Sequence, residues 1–521
     1  MHASETPREL VSFLLDPQSY PENTANVTHI ETHISHVFLC DSFVYKIKKP
    51  VNFGFLDFSS LKKRHYFCRK EVELNARLAK GIYLGVQPIY KADGCYSFVN
   101  NKEGSPVEFA VQMKRIPMEC LLFNLIEKGR PLYRDLEEVG RTLAFFHTNI
   151  KPYRGKRFGG FEAILAATED NFEQIKQFCG ITINEKTFET IASYTREFLE
   201  KNKNKFYSRK QNGFIREGHG DLHCQHICLE HPPVIFDCIE FNEAFRIIDV
   251  LEDIAFLFMD LEYRGRFDLT SCLSKAYFAD LQKVQDEDLL RFYKVYRAVV
   301  RGKVEGLTAE NVTTAKEQKL ATAKAMNYFD LACYYINDAH KAFNPIVFMG
   351  LSGSGKSTIA RGFSSDAVIL HSDEIRKAVA GLGKNEHHYI EVGKGIYTPE
   401  LTGQIYYTLL DKAVGCAKEG KKVIVDATYL KANQRTHFYS SCIETGLNPF
   451  FVHCFASENI LRKRIIERMQ NGRDISDAHL SVLEHQLKHL EEPEELPSFR
   501  VLKINTEDAI ENIVNTLKEF L

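Results

Sequence analysis

The stretch PIVFMGLSGSGKST, Pro345 to Thr358, decides how the C-terminal third of this chain is read. Four strand-forming apolar residues, Ile346 to Met349, run into Gly350, and Gly353, Gly355, Lys356, Ser357 and Thr358 follow. The spacing is G-x-x-x-x-G-K-[ST], a phosphate-binding loop set between a strand and a helix. Glycines there, with the small Ser352 and Ser354 between them, let backbone N–H groups curl around phosphate oxygens, and the helix that follows points its positive end at the same anion. Lys356 is expected to reach the β- and γ-phosphates and the Ser357 hydroxyl to hold Mg²⁺, so a nucleoside triphosphate is the expected ligand.

Downstream of this loop, strands alternate with helices. The apolar run Val368–Leu370 ends near Asp373, and Arg376 follows one helical turn later, so both side chains address one acceptor group. The carboxylate could activate a hydroxyl while the guanidinium orients an anion; taken alone, Asp373 also suits a helix cap. Thr398 and Pro399 are an N-cap and N1 pair for a long helix ending near Gly420. KKVIVDAT is a buried strand ending in Asp426, a carboxylate placed for the Mg²⁺ side of the site. PFFVHCFA is a fourth strand, and the next helix carries Arg462, Lys463, Arg464 and Arg468, with Arg464 and Arg468 on one face. The loop NGRDISDA, another helix and the strand FRVLKIN complete a parallel, doubly wound sheet.

The rest of the chain holds a second arrangement. HVFLCDSFVYKIKKPV alternates as a hairpin turned at Asp41–Ser42, with Lys46 near the end of its second strand. A helix is expected over Leu61–Ile82, stopping at Gly81. A strand lysine and a glutamate on the next helix form the pair that places nucleotide phosphate in the protein-kinase architecture, which makes Lys46 and Glu71 candidates. Taken alone, they are surface charges. Further on, HGDLH offers Asp221 as a proton acceptor, and the strand VIF delivers Asp237 at its end, where it could hold Mg²⁺. The nearby His219, His223, Cys224, His226, Cys228 and His231 also raise a zinc reading, although their spacing fits no standard finger. Asp249 and Asp253 are expected to brace the loop from a buried helix, and Leu273 to about Ala342 should be helical.

At 521 residues, 44% hydrophobic and 26% charged, the composition is that of a soluble chain with two or three domains. A net charge of −2 gives no electrostatic case for a polyanion partner, and the basic runs Lys46–Lys49, Lys62–Arg64 and Lys201–Lys210 are expected as solvated faces. The N-terminus has no signal pattern, no apolar run is of membrane-spanning length, and the 13 cysteines show no CxxC pair, so a cytoplasmic location is expected.

HGDLH followed by VIFDCIEFN resembles the aminoglycoside phosphotransferase and choline kinase-like group, small-molecule kinases with a protein-kinase-like fold. VYKIKKPV, FGFLDFSSLKKR and YLGVQPI resemble an uncharacterised bacterial branch of it, and the resemblance spans roughly Asn26 to Leu307. It implies that Asp221 is the catalytic base, Asp237 the Mg²⁺ aspartate, and Lys46 with Glu71 the phosphate-positioning pair, Glu73 being the competitor for the second role. One position departs. The group's asparagine for the second Mg²⁺, seven residues after the first histidine, is His226 here. Imidazole suits Mg²⁺ poorly, so His226 either only hydrogen-bonds Asp221, marks another metal, or weakens catalysis. No glycine-rich phosphate loop is recognisable in this lobe.

GLSGSGKST, SDEIRK, IYTPE, VIVDATYL, RKRIIERM and DISDAHLSVLEHQ resemble a bacterial family of P-loop kinases related to gluconate kinase, zeta toxin-type kinases and polynucleotide 5′-kinases, over about Pro345 to Leu521. The resemblance implies Asp373 as general base with Arg376 beside it, Arg464 and Arg468 as lid arginines, and Arg435 as a further anion-binding candidate. The expected protein is therefore a fusion: a bilobal kinase-like domain over 1–342, small lobe about 26–116, and a P-loop kinase domain over 343–521. It would use ATP and Mg²⁺ to phosphorylate a hydroxyl of a small molecule. A 5′-hydroxyl of nucleic acid and a nucleotide sugar stay open as acceptors, as does a regulatory pseudokinase role for the first domain.

Overall fold

The computed structural model describes residues 6–100, 104–279, 281–337, 344–381, 398–471 and 479–507, and the short pieces 513–514 and 517–518. The expected boundary at 342/343 and most of NGRDISDA lie outside the described residues.

An antiparallel sheet opens the chain: β1 (Thr28–Glu31), β2 (Ser35–Leu39), β3 (Phe43–Lys48), β4 (Tyr83–Ala92), β5 (Cys95–Ser97) and β6 (Pro106–Lys114), in the order β1-β2-β3-β6-β4-β5. β2 and β3 form the hairpin read around Asp41–Ser42. The helix against this sheet runs Leu61–Asn75, with the Ser60 hydroxyl accepting from Lys63 N at 3.3 Å as its N-cap. It ends a turn and a half before Gly81. Arg64, Cys68, Glu71 and Leu74 face inward at helical spacing, and two of those four are charged.

A helical body follows, centred on the helix Val250–Tyr263, every residue of which is buried. A helix walled in on all sides is a core element, and the polar groups it carries need internal partners. Two short ladders hold the segment in front of it: β7 (Ile215–Glu217) pairs with β10 (Ile247–Asp249), and β8 (Ile227–Cys228) with β9 (Val234–Ile235). The expected helical stretch after Leu273 comprises the end of the helix Phe267–Phe278 and the helices Glu287–Asn311 and Ala315–Ile336.

The C-terminal sheet is β11 (Ile346–Met349), β12 (Val368–His371), β13 (Val423–Asp426), β14 (Phe450–Phe455) and β15 (Val501–Asn505), all parallel, in the order β12-β13-β11-β14-β15. Val347 and Met349 of β11 enter one core with Ile405, Leu409 and Val425. Ile346 and Phe348 enter another with Ile359, Ile424 and Val452. Burial on both faces is why the strand is an unbroken apolar run.

The edge strand β15 lies on the helical body. A Cβ on Gly265, whose φ is +71°, would stand 2.2 Å from the Val501 carbonyl oxygen, so only glycine lets the two backbones approach this closely. Phe499 is buried among Tyr263, Val299, Ala332 and Tyr335, and the Arg500 guanidinium lies 4.4 Å from the Tyr334 ring centre. Among the described residues no helix is long and apolar enough to cross a membrane.

Candidate active sites

The loop after β11 adopts the conformation its glycines permit: Gly355, the residue that caps the next helix, has φ +83°. Lys356 is buried, and its ammonium donates to Leu351 O at 2.8 Å and approaches Ser354 Oγ at 3.4 Å, both neutral acceptors. Burial lowers its pKa, opposed by the charges of Asp426 and Asp373, while Arg468 adds to the lowering. Asp373, Asp426 and Arg468 thus all act electrostatically on one lysine. Asp426 ends β13 opposite His371 on β12, whose Nδ1 lies 2.9 Å from its carboxylate. Burial works against ionisation of Asp426, yet His371, Lys356 and Ser357 outweigh it and hold the carboxyl below its ordinary value. Asp373 is in the first turn of the helix Ser372–Val379, and Arg376 on that helix donates to Thr402 Oγ1 at 3.3 Å.

Two arginines have other duties. Arg464 donates to Thr506 O at 2.6 Å, Thr506 Oγ1 at 2.9 Å and Gly353 O at 3.3 Å, fastening the loop to the end of β15. Arg435 leaves the list of anion-binding candidates: it is 1% exposed, forks onto Glu495 at 2.5 and 2.9 Å and donates to Tyr429 O. Sequence reading passed over Gln486. Its side-chain oxygen accepts from Ser352 N at 2.8 Å, so the helix Leu480–His489 reaches into the phosphate loop.

In the N-terminal part, Lys46 on β3 lies 2.9 Å from Glu71 Oε1 and 2.9 Å from Asp237 Oδ1. Glu71 is fully buried, whereas Glu73 faces outward and pairs with Lys70 at 3.0 Å, so the lysine's partner is Glu71. Burial opposes the charge on Lys46, but Asp237 and Glu71 outweigh it and raise its pKa well above the ordinary value. The run Lys46–Lys49 is not the solvated face expected of it. Lys48 is 1% exposed and bridges Glu71 Oε2, at 2.7 Å, and Glu240. The strand's period of two was the available signal, since Lys46 and Lys48 share a face. Burial acts against ionisation of Asp237 too, and Lys46 and His226 reverse that effect, holding the carboxyl well below its usual range.

The HGDLH loop is pinned from the buried helix. Asp253 accepts from His219 N at 2.7 Å and Gly220 N at 2.8 Å, and Asp260 accepts from Cys224 N at 2.9 Å. Asp253 therefore braces the loop as expected. Asp249 does not: it pairs with Arg209 and caps Leu251 N. Burial pushes His219 down to about 4, so it is neutral, and its Nε2 faces Phe236 O at 2.9 Å. Asp221 Oδ2 lies 3.4 Å from His223 Nε2 and 3.6 Å from His226 Nδ1. Ligand atoms of Asp221, His223 and His226 lie within 4.8 Å of one another, and this cluster includes no cysteine. Cys224, from the zinc reading, is a buried thiol whose pKa burial drives well above its ordinary value.

Oxygen donors at Ser357 and Asp426 suit Mg²⁺ beside a bound phosphate chain. Around Asp221 and Asp237 the donor set is mixed, two carboxylates and the His226 imidazole, which fits a divalent cation but not an all-oxygen one.

Residues 346–493 match the AAA_33 family, described as an AAA domain. An uncharacterized protein of Mycobacterium tuberculosis (strain ATCC 25618 / H37Rv) is 28% identical over 448 residues, covering 85% of this chain and 86% of the relative. An uncharacterized protein of Mycobacterium bovis matches to the same extent, 28% over 448 residues. Among solved structures, a gluconokinase from Sinorhizobium meliloti 1021 covers 34% of this chain and 90% of its own, at 21% identity and a TM-score of 0.24. A choline/ethanolamine kinase family protein from Mesorhizobium loti covers 63% of this chain and 99% of its own, at 13% identity and a TM-score of 0.38. The chain carries a P-loop domain over residues 346–493, preceded by a six-stranded antiparallel sheet and a helical body.

Proposed function

We propose that this chain is an ATP-dependent phosphotransferase built of two modules, about 1–342 and 343–521, in which the P-loop module moves the γ-phosphoryl group of ATP to a hydroxyl of a small molecule. The observation that carries the reading is the buried Lys356 at the strand–loop–helix turn after β11, its ammonium on the loop's own Leu351 O and Ser354 Oγ. Asp373 takes the proton of the acceptor hydroxyl, the oxygen forms its bond to the γ-phosphorus, and the bond to the β-phosphate bridging oxygen breaks to release ADP. Lys356 moves from its neutral acceptors onto the β- and γ-phosphate oxygens, and Arg468 and Arg376 meet the charge spread over the transferring group. Ser357 and Asp426 would hold Mg²⁺, which neutralises phosphate charge when bound.

The first module binds a second ATP through Lys46 and Glu71, with Asp221 as base and Asp237 on the metal. His226 favours a second reading, in which this module binds nucleotide without turnover and regulates its neighbour. ATP turnover against sugars, aminoglycosides, nucleotide sugars and 5′-hydroxyl oligonucleotides tests both readings, comparing wild type with Lys356→Ala, Asp373→Ala and Asp221→Ala. Transfer that dies with Lys356 and Asp373 and survives Asp221→Ala assigns the chemistry to the P-loop module. Transfer that dies only with Asp221→Ala overturns that assignment.

A further inference from the structure

Where an all-oxygen Mg²⁺ site would place an amide oxygen, this chain places an imidazole, and its surroundings settle which nitrogen is available. His226 Nδ1 lies 2.9 Å from the backbone carbonyl oxygen of Asp221. A carbonyl only accepts, so Nδ1 carries the hydrogen and Nε2 is left with its lone pair. That nitrogen faces Asp237 Oδ2 at 3.5 Å, while the other carboxylate oxygen of Asp237 is occupied by Lys46 at 2.9 Å. A gap of 3.5 Å is long for a hydrogen bond and short enough for one metal ion to bridge. Fixing a histidine's tautomer by a hydrogen bond from its other nitrogen is how proteins present imidazole to metals.

Charge balance points the same way. Lys46 and Lys48 pair with Glu71, Glu240 and Asp237, two cations against three carboxylates, and Asp221 lies beside the His223 and His226 imidazoles. Arg301 also acts on Asp221 but is shared with Asp260 and Glu305. The carboxylates outnumber the lysines that pair with them, which suits an added cation.

We infer that the site between Asp221 and Asp237 takes a nitrogen-accepting divalent cation in preference to Mg²⁺, with His226 Nε2 as a direct ligand. The inference rests on the reading that the first module binds nucleotide. Mg²⁺ demands oxygen and a rigid octahedron, whereas imidazole suits other first-row divalent ions, for which Mn²⁺ serves as the paramagnetic probe. The chain thus ties the first module to a different metal from the P-loop module, where the donors are Ser357 and Asp426.

The test uses the full chain in a Lys356→Ala background, to silence the P-loop site, with Mn²⁺ and a non-hydrolysable ATP analogue. Pulsed electron paramagnetic resonance on protein grown with ¹⁵N-histidine reads nitrogen ligation directly, and His226→Asn assigns it to this imidazole rather than His223. The expected result is ¹⁵N coupling to Mn²⁺, which vanishes in His226→Asn. Mg²⁺ should also displace Mn²⁺ from His226→Asn at concentrations at least about tenfold lower than from the parent. Analogue and Mn²⁺ binding without histidine coupling overturns the inference and leaves nucleotide binding standing. Absence of analogue binding with either metal overturns both.

Discussion

Lys46, partly buried, and Lys356, buried, both stand at sites that would hold nucleotide phosphate, and they are held in opposite ways. Lys46 is clasped by two carboxylates, Glu71 and Asp237, with the buried Lys48 and Glu240 behind them. Lys356 rests on a carbonyl and a hydroxyl. Carboxylates surround the first lysine, an arrangement that suits the metal proposed there. The second holds its cation against neutral dipoles at a desolvation cost, an arrangement that suits the phosphate proposed to pair with it.

The largest effect that could break this contrast is on chemistry. Asp373→Asn should reduce transfer by about 10²–10⁴-fold with nucleotide affinity intact, read as a loss in kcat without a change in ATP Kd. Lys356→Ala should lower kcat by about 10²–10³-fold and weaken ATP binding as well, since its partner in the complex is the phosphate itself. The two lysine environments then predict stability effects of different sign. Lys48→Met leaves Glu240 buried without its cation and Glu71 with Lys46 alone, and should cost about 3–5 kcal/mol in urea unfolding. Lys356→Met removes a desolvated charge with no carboxylate directly attached, and the same measurement should show no loss or a small gain.

The smallest effect expected is on pH. Burial acts against the charge on Asp253, but His147 and His219 with its backbone N–H outweigh it and hold the carboxyl well below its ordinary value. A depressed carboxyl pKa contributes stability that is complete above about pH 4 and is lost as the pH falls further. Amide exchange at His219 and Gly220, which donate to Asp253, should therefore accelerate below about pH 4 and stay flat above it, after correction for intrinsic rates.

What could be read from residues alone follows the reach of each signal. The P-loop and the alternation around it were legible because the motif is contiguous and β11 is apolar on both faces. Glu71 was legible only with Glu73 as a rival, because the helix buries charges where an apolar stripe was sought. Lys48 and Glu240 went unread: each looks like surface charge until the fold sets them 192 residues apart in sequence and in contact. Gln486 could not be found, since nothing local marks a glutamine that reaches a loop 134 residues away. Asp249 was misplaced because position on a helix does not say which way its start faces.

The contact of β15 with the helical body has a consequence for anyone dividing the chain. An outer strand of a parallel sheet offers unpaired amide and carbonyl groups to any passing strand. Here Gly265 closes over Val501, and Phe499 is sunk into the neighbouring helices. A fragment beginning near Pro345 would uncover both at once, a templating edge and a large aromatic anchor. Such a fragment should associate through that edge at concentrations where the full chain remains monodisperse, and light scattering of the two side by side would register it.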